Sequence, residues 1–423
     1  MNDPKLQKHR NTGSGHSGTA EEKNSSHVKK KKKGWSVKKK TGVALGIIFL
    51  SLVIITAVIV GLFFHYTGLL DRTGDDKINT EPAPFNSSDW VDESDTFNEK
   101  EKEDELRAQL AKNSEKISDE EVMNILLIGE DIRDTEGNDR GNTDVMMIIS
   151  INHKQKTITM TSLMRDMYVY MSEYNNSGKL NSAYWHGGAE YLERVIEDYF
   201  GIEIDRYVKV NFRQFIDIVE AVGGLDLTVA ANEAEAMDAP LSEQNKYLGY
   251  KKGTDYIDKS LYKTGGEDDK VKMHLNGNQS LAYARIRYNC GDDYGRTQRQ
   301  RIVMKEIIKE AKKLSFIELD SLMNKVFPEV KTDITNGEIA SILLNAFDYM
   351  NYDIQELRLP VDGYFTDDVI WNMQVLSPNY QANSAFLKYI VYGDAKNSEE
   401  AAAQYEKEIA DGTFYEKNSE LLQ

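Results

Sequence analysis

The chain has 423 residues, 40% of them hydrophobic and 29% charged, with a formal net charge of -17. That length suits one large domain or two ordinary ones plus extensions, and the hydrophobic fraction excludes a polytopic membrane protein. The charge is uneven: residues 1–40 hold twelve Lys/Arg against three Asp/Glu, a balance of +9, so the remainder carries -26 (that is, -17 minus 9). So acidic a body argues against a nucleic-acid partner. The single cysteine, Cys290, excludes an intrachain disulfide, and no Cys/His cluster points to structural zinc.

Residues 1–40 are polar and end in two lysine runs, Lys29–Lys33 and Lys38–Lys40. Nothing in them offsets the entropy of ordering, so they read as a disordered basic tail. Residues 41–66 contain an uncharged run from Val43 to Phe64. At about 1.5 Å per residue, that run spans a hydrocarbon core of about 30 Å. The lysines precede it, which places the N-terminus in the cytoplasm and the body outside, anchored by one transmembrane helix. Residues 67–120 are acidic and polar, with no apolar stripe wide enough to join a core, and read as an extracellular stalk.

The ordered body is expected over residues 121–394. Asn124–Gly129 is a short apolar run typical of a buried strand. Asp144–Ile151 and Lys156–Leu163 flank a short connection and predict an antiparallel hairpin. Ala189–Phe200 has helical spacing and ends at Gly201. The IDRYVKV segment predicts a strand, NFRQFIDIVEAV a helix closed by Gly223–Gly224, and LDLTV another strand. Residues 231–273 are polar and glycine-containing and read as a long excursion from the domain. Beyond them come a helix over about Thr297–Leu314, helical patterns in ELDSLMNKVFPEV and NGEIASILLNAFDYM, a strand at Asp353–Pro360 and a last helix in SAFLKYIVYG. Residues 395–423 form a charged tail. Strands alternating with helices, interrupted by one hairpin, predict an α/β domain: a mixed-sheet α/β/α sandwich.

The stretch Leu275–Val303 holds Arg285, Arg287, Arg296, Arg299 and Arg301 and no lysine. Guanidinium grips phosphate oxygens through paired hydrogen bonds, so these residues point to a phosphate-bearing ligand, although a charged surface helix is the commoner explanation of such a run. Arg296 and Gln300 are four apart and share a helical face. Arg299 and Arg301 point elsewhere and read as surface residues. Arginines around Cys290 would lower its thiol pKa. At the other end of the domain, Asp131 and Asp144 sit at strand ends, where paired carboxylates suit Mg²⁺, although each alone is more often a turn residue. Arg133, Arg140 and Arg165 lie beside them in sequence. Lys179 follows and by itself reads as a solvated lysine.

The blocks Asn124–Arg133, Arg140–Met147, Ser162–Val169, Lys179–Gly188, Val210–Leu227 and Leu275–Gln300, in that order, make the chain resemble the LytR-CpsA-Psr family of cell-envelope phosphotransferases. The resemblance covers roughly residues 122–393 and extends to the N-terminal anchor. It implies transfer of a glycopolymer, such as teichoic acid or capsule, from an undecaprenyl-pyrophosphate carrier onto peptidoglycan, with formation of a phosphodiester. By motif match, Asp131 and Asp144 would hold Mg²⁺ (or Mn²⁺), and Arg165, Lys179, Arg285, Arg287, Arg296 and Gln300 would surround the pyrophosphate. Arg133 joins the same cluster, and Asp131 would also deprotonate the incoming sugar hydroxyl. The lipid tail would lie in an apolar interior between sheet and helices. Met164 and Val145 stand where the family usually has Pro and Thr, and the spacing from Arg287 to Arg296 is one residue short. A membrane-anchored pyrophosphate-lipid binder that regulates envelope synthesis, or a lipid-pyrophosphate hydrolase, are the alternatives.

Overall fold

The structure is a computed structural model that describes residues 116–131, 142–315 and 330–393, with isolated positions at 68, within 104–110 and within 318–326. The chain divides into two units, Met1–Val60 and Gly61–Gln423, and every described residue falls in the second. The expected membrane span, Arg133, Arg140 and the C-terminal tail lie outside the described residues, as does the side chain of Asp131. Among the described residues, no helix is long and apolar enough to cross a membrane.

In chain order the body runs β1 (Val122–Asp131), β2 (Asn142–Asn152), β3 (Thr157–Leu163), β4 (Tyr168–Met171), β5 (Asn176–Lys179), α1 (Leu180–Phe200), β6 (Arg206–Asn211), α2 (Phe212–Ala221) and β7 (Leu225–Ala230). It continues with α3 (Ala231–Ala236), α4 (Asp238–Leu248), β8 (Lys270–Leu275), α5 (Gly277–Arg285), α6 (Asp292–Ala311) and β9 (Lys331–Thr332). It closes with α7 (Asn336–Tyr349), β10 (Asp353–Leu359), β11 (Phe365–Ile370), β12 (Met373–Pro378) and α8 (Tyr380–Tyr392). Six strands form one mixed sheet in the order β10-β3-β2-β1-β6-β9. The expected β2–β3 hairpin is antiparallel, while β1–β6 and β3–β10 are parallel.

The two faces of this sheet differ, and the difference is already written in β1. Its even-numbered residues from Val122 to Ile128 are buried, whereas its odd-numbered ones are only half-buried. On the buried face, Leu126, Ile128, Met146 and Ile148 join the main core with α1 and with Leu387 and Val391 of α8. On the opposite face, the register aligns Val208, Leu127 and Met147 in one row and Val210, Gly129 and Val145 in the next. Both rows line a cavity of about 1110 Å³, closed over by apolar residues of α2, α5, α6 and α7. Helices therefore cover both faces, but only one face is filled.

Local chemistry fixes the covering helices. Asn211 and Gln214 make a capping box at the start of α2, and Asn276 and Gln279 repeat it at the start of α5. Each box satisfies two backbone donors that the first helical turn would otherwise leave unpaired. The two helices pack closely: a side chain at Gly277 would place its Cβ 2.6 Å from the Ile216 carbonyl oxygen.

Two expectations are corrected here. Residues 231–273 are no excursion: they supply α3, α4 and a 3₁₀ turn, and β8 at their end pairs with β7 along its length. Ala234, Met237, Leu241 and Ile257 bury themselves with β7, α5 and α6 in a second core. A sequence with so few apolar residues hides this because polar groups close the interface. Gln244 donates to Asn278, and Asn278 donates to Asn245 and Asp255. The stalk is also less detached than its composition implies, since Leu106 is 1% exposed and belongs to the main core, and Arg107 lies over the Tyr170 ring.

Gly129 is the one position on the cavity face where a side chain has no room, because its Cβ would stand 2.8 Å from Val145 Cβ. Gly129→Ala is expected to lower unfolding stability by about 1–3 kcal/mol through overpacking, read as a lower urea midpoint. An unchanged midpoint would show that β1 and β2 can separate locally at no cost.

Candidate active site

The charged end of the cavity lies where β1 and β2 finish. Asp131 is the last residue of β1 and pairs with Asn142. Gly129 pairs with Val145 but Glu130 pairs with Thr143, so Asp144 is the extra residue of a β-bulge. A bulge bends the strand and re-aims the residue it holds. Thr143 stabilises this one by donating to the carbonyl oxygens of Gly129 (3.1 Å) and Val145 (2.9 Å). Asp144 is thereby carried to the charged end of the cavity lining.

Three guanidiniums converge there from distant parts of the chain. Arg165, just after β3, donates through Nη1 to Asp144 Oδ1 at 3.1 Å. Arg296, one turn into α6, lies with Nη1 3.5 Å from the same oxygen and with Nη2 2.7 Å from Asp293 Oδ1. Arg287 Nε and Arg165 Nε each stand 3.7 Å from Asp293 Oδ1. Arg165 and Arg296 are almost fully buried. Beside them Lys179 Nζ pairs with Asp166 Oδ1 at 3.0 Å. Lys179 is thus a buried member of the cluster and not a solvated lysine.

The electrostatics follow from this crowding. Burial alone would raise the Asp144 carboxyl, but the fields of Arg296, Arg165, Arg285 and Arg287 outweigh it and hold the group below its ordinary value of 3.8. Arg287 is pushed the other way, below the ordinary arginine value, by burial and by the like charges of Arg165 and Arg296. A cation depressed by its own neighbours marks a place that favours an incoming anion.

The sequence-predicted arginines separate in space. Arg285 ends α5 and turns aside: it donates to Glu243 at 2.8 Å and lies 4.4 Å over the Phe212 ring. Gln300 contacts the Ala284 carbonyl oxygen at 3.5 Å. Both still line the cavity with Arg287, Arg296 and Asp144. Arg287 and Arg296 are connected through a turn in which Asn289, Gly291 and Asp292 all take positive φ.

Two surface readings are corrected. Arg299 is 4% exposed and donates to the carbonyl oxygens of Ile286 (2.7 Å) and Cys290 (2.9 Å), clamping the loop that carries Arg287. Arg301 reaches back to the sheet and donates to Ser162 of β3 and Glu356 of β10. Helical spacing could not reveal this, because it does not report what lies beneath each helical face. Cys290 is also corrected: burial pushes its thiol up, and the opposing effect of Arg299 is smaller. Asp293 and Asp166, which organise the cations, were missed as site residues. The available signal was Asp293 three residues before Arg296, the spacing of a helical ion pair.

Asp131 ends β1 beside the start of β2, where Asp144 stands, so the two backbones are neighbours. Among the described residues no group of three or more His, Cys, Asp or Glu converges on one point.

With this geometry in view, comparison with known proteins is informative. Residues 86–388 match the LytR_cpsA_psr family. The chain belongs to that family. The match starts 35 residues before the expected domain boundary (121 minus 86), in keeping with Leu106 in the core. A Bacillus cereus protein named polyisoprenyl-teichoic acid–peptidoglycan teichoic acid transferase TagU is 30% identical over 259 residues, 61% of this chain and 75% of that one. Biofilm regulatory protein A of Streptococcus mutans is 33% identical over 235 residues, 53% of this chain and 52% of that one. A solved structure, TagT bound to LIIa-WTA, has 22% sequence identity and a TM-score of 0.50, covers 67% of this chain and 94% of that chain, and shares the fold.

Asp144 supplies a pH test. Its folded pKa lies below its unfolded one, so its contribution to stability is present above the unfolded pKa and is lost as pH falls through the folded value. Asp144→Asn is expected to be less stable than the natural protein at and above about pH 5, with the gap closing at lower pH. Urea unfolding of both proteins across that range checks it, and a gap independent of pH would contradict it.

Proposed function

We propose that this chain is a membrane-anchored phosphotransferase that moves a glycopolymer from an undecaprenyl-pyrophosphate carrier onto peptidoglycan. One observation carries the reading: Arg287 and Arg296 line one end of a largely apolar cavity of about 1110 Å³, and Arg165 joins them on Asp293. A ligand with a long apolar tail and a doubly charged head matches that shape. Family membership and the activity in the name of the Bacillus cereus relative support the same chemistry.

In this mechanism the tail lies along the row Val208–Leu127–Met147, and the pyrophosphate meets Arg165, Arg287 and Arg296, with Lys179, Arg285 and Gln300 around it. An acceptor sugar hydroxyl attacks the phosphorus that bears the polymer. The bond to the bridging oxygen breaks, and undecaprenyl phosphate leaves. Charge grows on the departing phosphate, where fixed guanidiniums stabilise it without reorganising. Asp131, with Arg133 beside it in sequence, would take the hydroxyl proton. Asp131 and Asp144 would hold Mg²⁺, which supplies further charge neutralisation when bound. Val43–Phe64 would anchor the chain with its N-terminus in the cytoplasm, keeping the body beside a carrier confined to the membrane.

Arg287→Ala and Asp131→Ala are each expected to lower transfer by about 10²–10³-fold while leaving the fold intact. The measurement is adduct formation by purified protein in vesicles that contain lipid-linked polymer, with peptidoglycan oligomers as acceptor. Normal transfer by both variants would sink the assignment, and release of undecaprenyl phosphate without an adduct would make the protein a hydrolase. Chelation of divalent ions should abolish transfer and added Mg²⁺ restore it; full activity in excess chelator would remove the metal from the scheme.

A further inference from the structure

The arginine cluster has two sides. Arg287 and Arg296 line the cavity, whereas Arg165, Asp293 and Tyr294 do not. In-line displacement requires the attacking hydroxyl to reach phosphorus from the side opposite the leaving group. With the leaving lipid phosphate on the cavity side, the acceptor must approach from the side of Tyr294, and the structure there is the β11–β12 hairpin.

That hairpin is joined to the site at its base. The Leu376 N–H donates to the Asp166 carbonyl oxygen at 2.8 Å, tying β12 to the loop of Arg165. The Phe365 and Tyr294 rings stand 6.3 Å apart, and Arg358 lies 4.5 Å over the Tyr294 ring. From this base β11 runs outward, with Phe365, Asp367 and Val369 on one face and Gln374 opposite Val369. Asp367 and Gln374 are exposed. Burial, with the charge of Asp367 next, raises the Tyr294 phenol above its ordinary value.

The tip is unusual. Ile370 pairs with Met373, leaving Trp371 and Asn372 as a two-residue turn with φ of 52° and 60°. Such turns favour Asn-Gly, and an indole at positive φ is sterically disfavoured. Here the Trp is held in that conformation and is 57% exposed, although it is a large hydrophobic side chain.

We infer that this strip, from Tyr294 past Asp367 and Gln374 to Trp371, is the acceptor subsite, where an uncharged carbohydrate chain lies with one sugar hydroxyl held at the arginine cluster. Sugar rings present apolar C–H faces and hydroxyl edges. Aromatic side chains at the two ends suit the faces, and a carboxylate and an amide between them suit the edges. The exposed polar residues of the strip are neutral or acidic, so it disfavours an anionic polymer and separates acceptor from donor by charge. The inference rests on the transferase reading and deepens it.

The test uses full-length protein in vesicles with lipid-linked polymer and an acceptor oligosaccharide of the peptidoglycan glycan chain. Trp371→Gly keeps the turn, since glycine accepts positive φ, and Asp367→Ala probes the polar middle. Each is expected to raise the acceptor KM by about ten-fold, with the donor KM unchanged. Trp371→Phe, which restores an aromatic ring, should recover most of the loss. Unchanged acceptor KM in both variants overturns the subsite. Direct binding of the oligosaccharide, measured without donor, separates this outcome from failure of the transferase reading. Binding that Trp371→Gly loses supports the strip even if no transfer occurs, and equal binding by both proteins overturns it.

Discussion

Guanidiniums do not gather unless carboxylates stand between them, and this constraint governs the structure around the site. Arg165, Arg287 and Arg296 come from three separate segments and meet on Asp293 and Asp144. Removing a carboxylate would leave buried like charges facing one another, a larger penalty than the loss of an exposed ion pair. Several local irregularities serve that meeting. The bulge in β2 re-aims Asp144, the positive-φ turn at Asn289–Asp292 leads from Arg287 into α6, and Arg299 holds one carbonyl before that turn and one within it. None of these features stabilises the fold in isolation, and each becomes intelligible once the cluster is treated as the fixed requirement.

The sheet meets a related constraint by dividing its labour. An empty apolar cavity forfeits the dispersion contacts its lining would otherwise make. The opposite face compensates, because Leu126, Ile128, Met146 and Ile148 are all but inaccessible and pack on the tyrosine-rich α1 and on α8. The same strands therefore supply rigidity on one side and room on the other. Strand periodicity allows this, since successive side chains point to opposite faces.

Most of the elements were legible in the sequence. The β2–β3 hairpin, the strands β1, β6, β7 and β10 and the helices α2, α6, α7 and α8 all follow from short apolar runs, helical spacing and glycine stops. What could not be read were interfaces sealed by polar groups. Residues 231–273 look like a loop because Gln244, Asn245 and Asn278 do the work usually given to leucines. The β11–β12 hairpin was missed because its turn is Trp-Asn, without the glycine that signals a two-residue turn. For the site, the arginines were visible but their grouping was not. Arg285 and Arg287 are only two positions apart in sequence yet diverge, one toward Glu243 and one toward Asp293. Arg299, which looked superficial, is buried behind both.

The charge count at the cluster bears on how a pyrophosphate can bind. Arg165, Lys179, Arg285, Arg287 and Arg296 bring five positive charges, and Asp144, Asp166, Asp293 and Glu243 return four negative ones, before Asp131 is counted. Without substrate, the site is therefore close to neutral and internally paired. A pyrophosphate head cannot rely on a large net positive field, so it must take over guanidinium donors that carboxylates now hold. Arg165 and Arg296 share one Asp144 oxygen, so an anionic head has only that single carboxylate to displace in order to reach both. The carboxylates thus keep the cations assembled, and binding of an anionic head is an exchange of one set of guanidinium contacts for another.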